Sequence, residues 1–173
     1  MSKINKNVNI FIENLFQDWK LDESEITNNS QKIVNYFLNC LFKESCLNGF
    51  EFDTLSFDIL FCESTKTHEI NKEYRGKDYP ADIITFAIFA DDEMKFVLDG
   101  EINLGEIIIA LDKVKEEAVR QNVTDIYELY FLIAHGILHL LGFDHETESD
   151  YNFVVDNQKE ALSATGIGIR SER

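Results

Sequence analysis

Val8, Ile10 and Ile12 recur at every second position near the start of the chain, the period of a strand with one buried face. From residue 24 the period changes. Ile26, Ile33, Val34, Phe37, Leu38, Leu41 and Phe42 return at steps of three and four, which predicts an amphipathic helix over 24–47, ended by Asn48-Gly49. Residues 55–62 alternate again, with Phe57, Ile59 and Phe61 on one side and Ser56 and Asp58 on the other, so a second strand is expected. Ser64 is placed to cap a short helix running toward Tyr74, and 76–80 must be a loop. The apolar run 82–89 reads as a buried strand. Residues 95–98 and 101–109 flank Asp99-Gly100, a hairpin signal because Gly takes positive φ freely, and predict two further strands. Residues 110–122 are charged and helical. Asp125 with Glu128 forms a capping box into a helix over 126–141, and a last helix over 149–165 stops at Gly166. The pattern predicts an α+β fold: a single domain with one mixed sheet of about four strands covered by helices.

Composition agrees with that picture. The chain has 173 residues, 45% of them apolar and 12% aromatic, enough to build a core and too apolar for a disordered segment. One domain over 1–173 is expected. The formal charge is −16, which repels polyanions at long range and leaves no broad basic face of the kind free nucleic-acid binders carry. The first residues lack the apolar core and cleavage site of a secretory signal. The longest mostly apolar stretch, 131–143, falls short of the ~20 residues of a membrane span. Cys40, Cys46 and Cys62 are odd in number and form no Cys-x-x-Cys. They are expected to be small core hydrophobes in a reduced, cytoplasmic protein.

Charge chemistry concentrates in one place. Of the 4 histidines in the chain, His135, His139 and His145 lie close together on the last part of the helix over 126–141 and the turn that follows. Positions i and i+4 share a helix face, so His135 and His139 can grip one ion. Gly142 can break the helix and bring His145 back to it. Three neutral imidazoles leave one tetrahedral position open, a catalytic rather than a closed structural arrangement. Zinc is the leading ion, and nickel, copper and iron also accept imidazole. The spacing is similar to the His-x-x-x-His-x-x-Gly-x-x-His signature of metzincin peptidases. There a Glu directly after the first His is the general base; here that position is Gly136.

The same block, His135-Gly-Ile-Leu-His139-Leu-Leu-Gly142-Phe-Asp144-His145, resembles the signature of the YbeY endoribonucleases. A second block supports the resemblance, Asn71-Lys-Glu-Tyr74-Arg75-Gly-Lys-Asp78-Tyr-Pro80-Ala-Asp82-Ile-Ile-Thr85-Phe86. It is similar to the family's Asn-x-x-Tyr-Arg-x-x-x-x-Pro-Thr-Asp-Val-Leu-Ser-Phe-Pro. A third is Leu104-Gly105-Glu106-Ile107, where the family has Leu-Gly-Asp-Ile. The departures are Ala81 for Thr, Thr85 for Ser, Ala87 for Pro, Glu106 for Asp and Phe143 for Tyr, none at a His or at Arg75. The resemblance runs from about Leu55 to Ala164. It implies a metal-dependent hydrolase acting on single-stranded RNA in ribosomal RNA processing, notably at the 3′ end of the small-subunit RNA, and in ribosome quality control. It further implies one Zn2+ held by His135, His139 and His145, with Arg75 as the functionally important arginine. Ribosomal RNA or the ribosome would be the partner, with a ribosomal protein or assembly GTPase delivering the substrate, and neither DNA nor membrane would be involved.

Arg75 also makes chemical sense unaided. A guanidinium fork fits two phosphoryl oxygens and stays charged at any working pH; the plainer alternative is a surface arginine paired with Asp78 or Asp82. Asp144 is placed either to orient a histidine or to cap the turn. Glu106 reads as a strand-end charge more than a catalytic carboxylate, and His68 as a solvated side chain. The tyrosines and Phe131 on the metal-bearing helix read as core. Two other functions compete with the ribonuclease: a different zinc metallohydrolase, against which the missing Glu argues, and a non-enzymatic ribosome-assembly factor with a structural metal.

Overall fold

A computed structural model describes residues 3–167. Its four strands are β1 (Asn7–Asn14), β2 (Thr54–Cys62), β3 (Ile83–Phe86) and β4 (Glu101–Ala110). Its helices are α1 (Glu23–Leu41), α2 (Ser64–Arg75), α3 (Ile88–Asp91), α4 (Leu111–Gln121), α5 (Asp125–Leu140) and α6 (Glu148–Thr165). The sheet order is β1-β2-β4-β3. β1, β2 and β4 are parallel and β3 runs antiparallel to β4, so the sheet is mixed as expected.

Parallel strands need helical crossovers, and α1 supplies the one from β1 to β2. Its predicted apolar stripe is buried: Ile26, Ile33, Val34, Phe37, Leu38 and Leu41. They join Phe57, Ile59, Ile107 and Ile109 from the sheet and Ile133 and Ile137 from α5 in the main core. Each such fully buried side chain contributes roughly 1.5–3 kcal/mol. Ile108 points to the other face, where Cys62, Ile84 and Ile70 of α2 form a smaller cluster. Among the described residues no helix is long and apolar enough to cross a membrane.

β1 is an edge strand, and amides of α1 bond its start and the segment that leads into it. Gln31 Nε2 donates to Val8 O. Asn35 accepts from Lys6 N and donates to Lys6 O, and Asn39 does the same at Ile4. Helix positions four apart thus serve strand positions two apart.

The structure departs from the sequence pattern at five places. α1 stops at Leu41 rather than at residue 47, and a 3-10 turn over Phe42–Glu44 follows. The chain turns there because Cys46 N donates to Leu141 O, tying this connection to the end of α5. The run 82–89 is a strand only to Phe86, since Gly105 crowds it: a Cβ on Gly105 would sit 1.9 Å from Phe86 O. That glycine (φ +128) forms a bulge in β4, where Ser56 pairs with Asn103 and Phe57 with Gly105. Residues 95–98 are not a strand. Only Leu98 bridges to Glu101 around Asp99-Gly100, both at positive φ, and Lys95 bonds the carbonyls of Phe89, Ala90 and Asp92 instead. The cap of α5 is Thr124, whose hydroxyl accepts from Tyr127 N, and not Asp125. Cys62 is buried, but Cys40 is exposed and Cys46 intermediate, so the cysteines are not uniformly core.

Glu128 lies on the buried side of α5, only 5% exposed. Burial, and then the carboxylates of Glu117 and Asp82 against the pull of Arg120, push its carboxyl up to about 7. Below the ordinary carboxyl value the group is protonated in both folded and unfolded chains and costs nothing. As pH rises through that value the unfolded chain ionises first, and the stability it contributed is gone once pH passes about 7. Glu128→Gln is therefore expected to match the wild type in thermal melts near pH 4 and to melt several degrees higher at pH 8. The melts are done in chelator so that metal does not contribute.

Candidate metal centre

α5 carries His135 and His139 on one face, and its end delivers His145. Phe143 N donates to Leu138 O and Gly142 N to His139 O, closing the helix with Gly142 at φ +97. The turn gathers the three predicted ligands: one nitrogen from each of His135, His139 and His145 lies within 4.8 Å of the others. Two of the rings are half-buried and His145 is exposed.

Second partners fix the proton on two of these rings. Gln158 of α6 is buried, and its Nε2 donates to Phe131 O, which leaves Oε1 to accept from His135 Nδ1 at 3.2 Å. Asp144 Oδ1 lies 3.4 Å from His139 Nδ1, so of its two sequence readings the structure bears out the orienting one. With both Nδ1 atoms carrying hydrogen, the two neutral rings present Nε2 lone pairs to each other, 2.9 Å apart. That contact is repulsive without a cation. Two nitrogens each 2.0–2.1 Å from one tetrahedral zinc lie roughly 3.3 Å apart, a few tenths of an ångström beyond the present spacing, so the donor set fits the ion.

Electrostatics keep the rings neutral. Burial, then the neighbouring His139, drives His135 down to about 4. His139 is lowered by burial first and by His145 next, against the Asp144 carboxylate, and the charge of Arg75 adds to the lowering. Arg75, at the end of α2, is thus near enough for its field to reach the triad. Among the described residues no ion pair holds it. Asp78 pairs with His68 at 2.8 Å, and Asp82 is exposed without an ion pair to Arg75, so the plainer surface pairing of Arg75 is not seen among the described residues and His68 is partnered rather than simply solvated. Glu106 is half-buried in β4 opposite Asp58 and Phe86, with its carboxyl raised by burial first and by Asp58 next. Tyr130 is core, as expected, with its hydroxyl accepting from Asn29.

Gly136 proves to be a packing position. A Cβ there would come within 2.9 Å of two Ile107 side-chain atoms, so α5 lies on the sheet closely enough to exclude any side chain after the first ligand. A glutamate base of the metzincin kind has no room. Gln158 escaped the sequence reading, although a signal existed: it stands between Val154 and Leu162 on the buried stripe of α6, where a polar residue needs a partner.

Comparisons with known proteins agree with this geometry. The family model described as Endoribonuclease YbeY matches residues 11–166. A protein named Endoribonuclease YbeY from Bacillus cytotoxicus is 37% identical over 149 residues, covering 84% of this chain and 94% of that relative. The one from Bacillus thuringiensis is 36% identical over 151 residues, covering 86% and 95%. A Thermotoga maritima protein solved in solution, TM1509, shares the fold with a TM-score of 0.52 at 21% identity, covering 96% of this chain and 99% of that one.

Two outcomes are expected. Gly136→Ala should lower stability by about 1–3 kcal/mol in urea titrations, although alanine is the better helix former, because Ile107 on a buried strand has nowhere to move. Gln158→Leu should keep the fold and weaken zinc affinity about 10- to 100-fold in a chelator competition, because His135 loses the acceptor that fixes its tautomer.

Proposed function

The chain belongs to the endoribonuclease YbeY family, and from that premise we propose that it is a metal-dependent endoribonuclease of ribosomal RNA maturation. Its substrate is single-stranded RNA, notably the 3′ end of the small-subunit precursor, and its work extends to ribosome quality control in the cytoplasm. The domain spans 1–173. Ribosomal RNA or the ribosome is the partner, with a ribosomal protein or an assembly GTPase as the delivery factor. The observation that carries the reading is a His triad whose nitrogens lie within 4.8 Å of one another, with the charge of Arg75, which no ion pair holds among the described residues, reaching His139.

His135, His139 and His145 would hold one zinc. When bound, the ion supplies Lewis-acid polarisation of a phosphoryl oxygen and makes water nucleophilic near neutral pH. Gln158 and Asp144 hold the protons of His135 and His139 on the far side of each ring, so that both donor atoms stay available. Arg75 binds the scissile phosphate through its guanidinium fork and stabilises the negative charge that builds on the non-bridging oxygens. Gly136 leaves no side-chain base at the peptidase position, which weighs against a peptide substrate.

The test is cleavage of a precursor ribosomal RNA fragment by wild type, His139→Ala and Arg75→Ala, with metal content measured on the same samples. Arg75→Ala should keep its zinc and lose about 100- to 1,000-fold in rate, the usual cost of one charge-stabilising donor. His139→Ala should lose both metal and activity. Equal cleavage by all three samples would mean a contaminating nuclease and would overturn the reading.

A further inference from the structure

An aromatic ring that neither metal binding nor phosphate binding uses packs against the exposed His145. Tyr151 sits in the first turn of α6, where its N donates to Thr147 O. Its ring meets His145 at right angles, centroids 6.1 Å apart and planes at 89°. It is 53% exposed, so this packing leaves much of the ring in solvent. Its position is fixed from both ends. Thr147 caps the helix through Asp150 N, and Phe153 packs on Phe143 at 5.7 Å, joining the start of α6 to the turn that carries His145. Acidic side chains, Asp144, Glu146 and Asp150, line the adjoining turn and the start of α6 and repel phosphate. A nucleic acid meeting this bank finds the Tyr151 ring as stacking surface beside carboxylates.

We propose that Tyr151 is a base-stacking residue that positions single-stranded RNA at the triad, so that Arg75 engages the phosphate on one side while a neighbouring base lies on the Tyr151 ring. The inference rests on the ribonuclease reading. Stacking suits this chain because each stacked base contributes affinity without phosphate neutralisation, and every base offers a π-face. It also suits unpaired RNA, whose bases are free to splay onto an aromatic ring.

The experiment uses zinc-loaded wild type, Tyr151→Phe and Tyr151→Leu, with bound zinc measured in each. The probe is a short single-stranded RNA carrying one 2-aminopurine, moved along the sequence. Stacking on a protein ring quenches 2-aminopurine, so wild type and Tyr151→Phe should quench it at one position and Tyr151→Leu should not. In cleavage of the same RNA, Tyr151→Leu should raise KM about tenfold with kcat changed less than twofold, and Tyr151→Phe should behave as wild type. Absence of quenching by wild type, or equal quenching by all three, overturns the proposal. So does a fall in zinc content or in kcat with KM unchanged, which would make Tyr151 a buttress of His145. A wild type that quenches the probe but cuts no RNA would retain the stacking role and overturn the ribonuclease reading instead.

Discussion

Two imidazole nitrogens 2.9 Å apart, once each ring carries its proton on Nδ1, repel unless a cation lies between them. Much of the fold serves to impose that contact. Gln158 comes from the last helix and Asp144 from the turn, and each removes the tautomer that would relieve the repulsion through an N–H···N bond. Burial removes the other escape, protonation, by holding His135 near 4. Gly136 lets α5 lie close on Ile107, which fixes the height of both rings above the sheet. The site is preorganised at a cost in stability, and the core of α1, β2, β4 and α5 supplies the offset.

The same economy governs how an acidic protein meets RNA. At −16 the long-range field opposes association, and salt screens it within about 10 Å. Attraction must come at contact range. Lys66, Lys72, Arg75 and Lys77 lie on α2 and the loop after it, and of these Arg75 is the one whose charge reaches the triad. On such a surface, contact-range groups such as Arg75 must outweigh the long-range repulsion.

The cluster of three histidines was legible because its geometry is local: spacing four on a helix and a glycine at its end suffice to converge three rings. Arg75 needed the family pattern, since nothing in its own segment says which way the end of α2 points. Gln158 and the packing role of Gly136 depend on contacts across 23 residues and across layers, which periodicity does not encode. The same limit explains the end of α1. Its apolar period continues past Leu41, but Cys46 N is claimed by Leu141 O, a partner far along the chain. The short strand expected at 95–98 failed for a related reason: its turn residues were right, yet Lys95 bonds two carbonyls of α3 and that of Asp92 just after it, and only Leu98 bridges to Glu101.

The amide rungs between α1 and β1 behave like a vernier. Four helical residues advance about 6.0 Å and two strand residues about 6.6 Å, so the two rulers slip by roughly 0.6 Å at each rung. Three rungs tolerate the slip, at Ile4, Lys6 and Val8. At the fourth, Thr27 stands opposite Ile10 with no amide to offer, and a cavity of about 450 Å3 opens among Ile10, Ile12, Glu23, Ser24, Thr27 and Asn28. The length of edge shielded in this way is thus set by which side chains stand at every fourth helical position, and the ladder ends where the amides end.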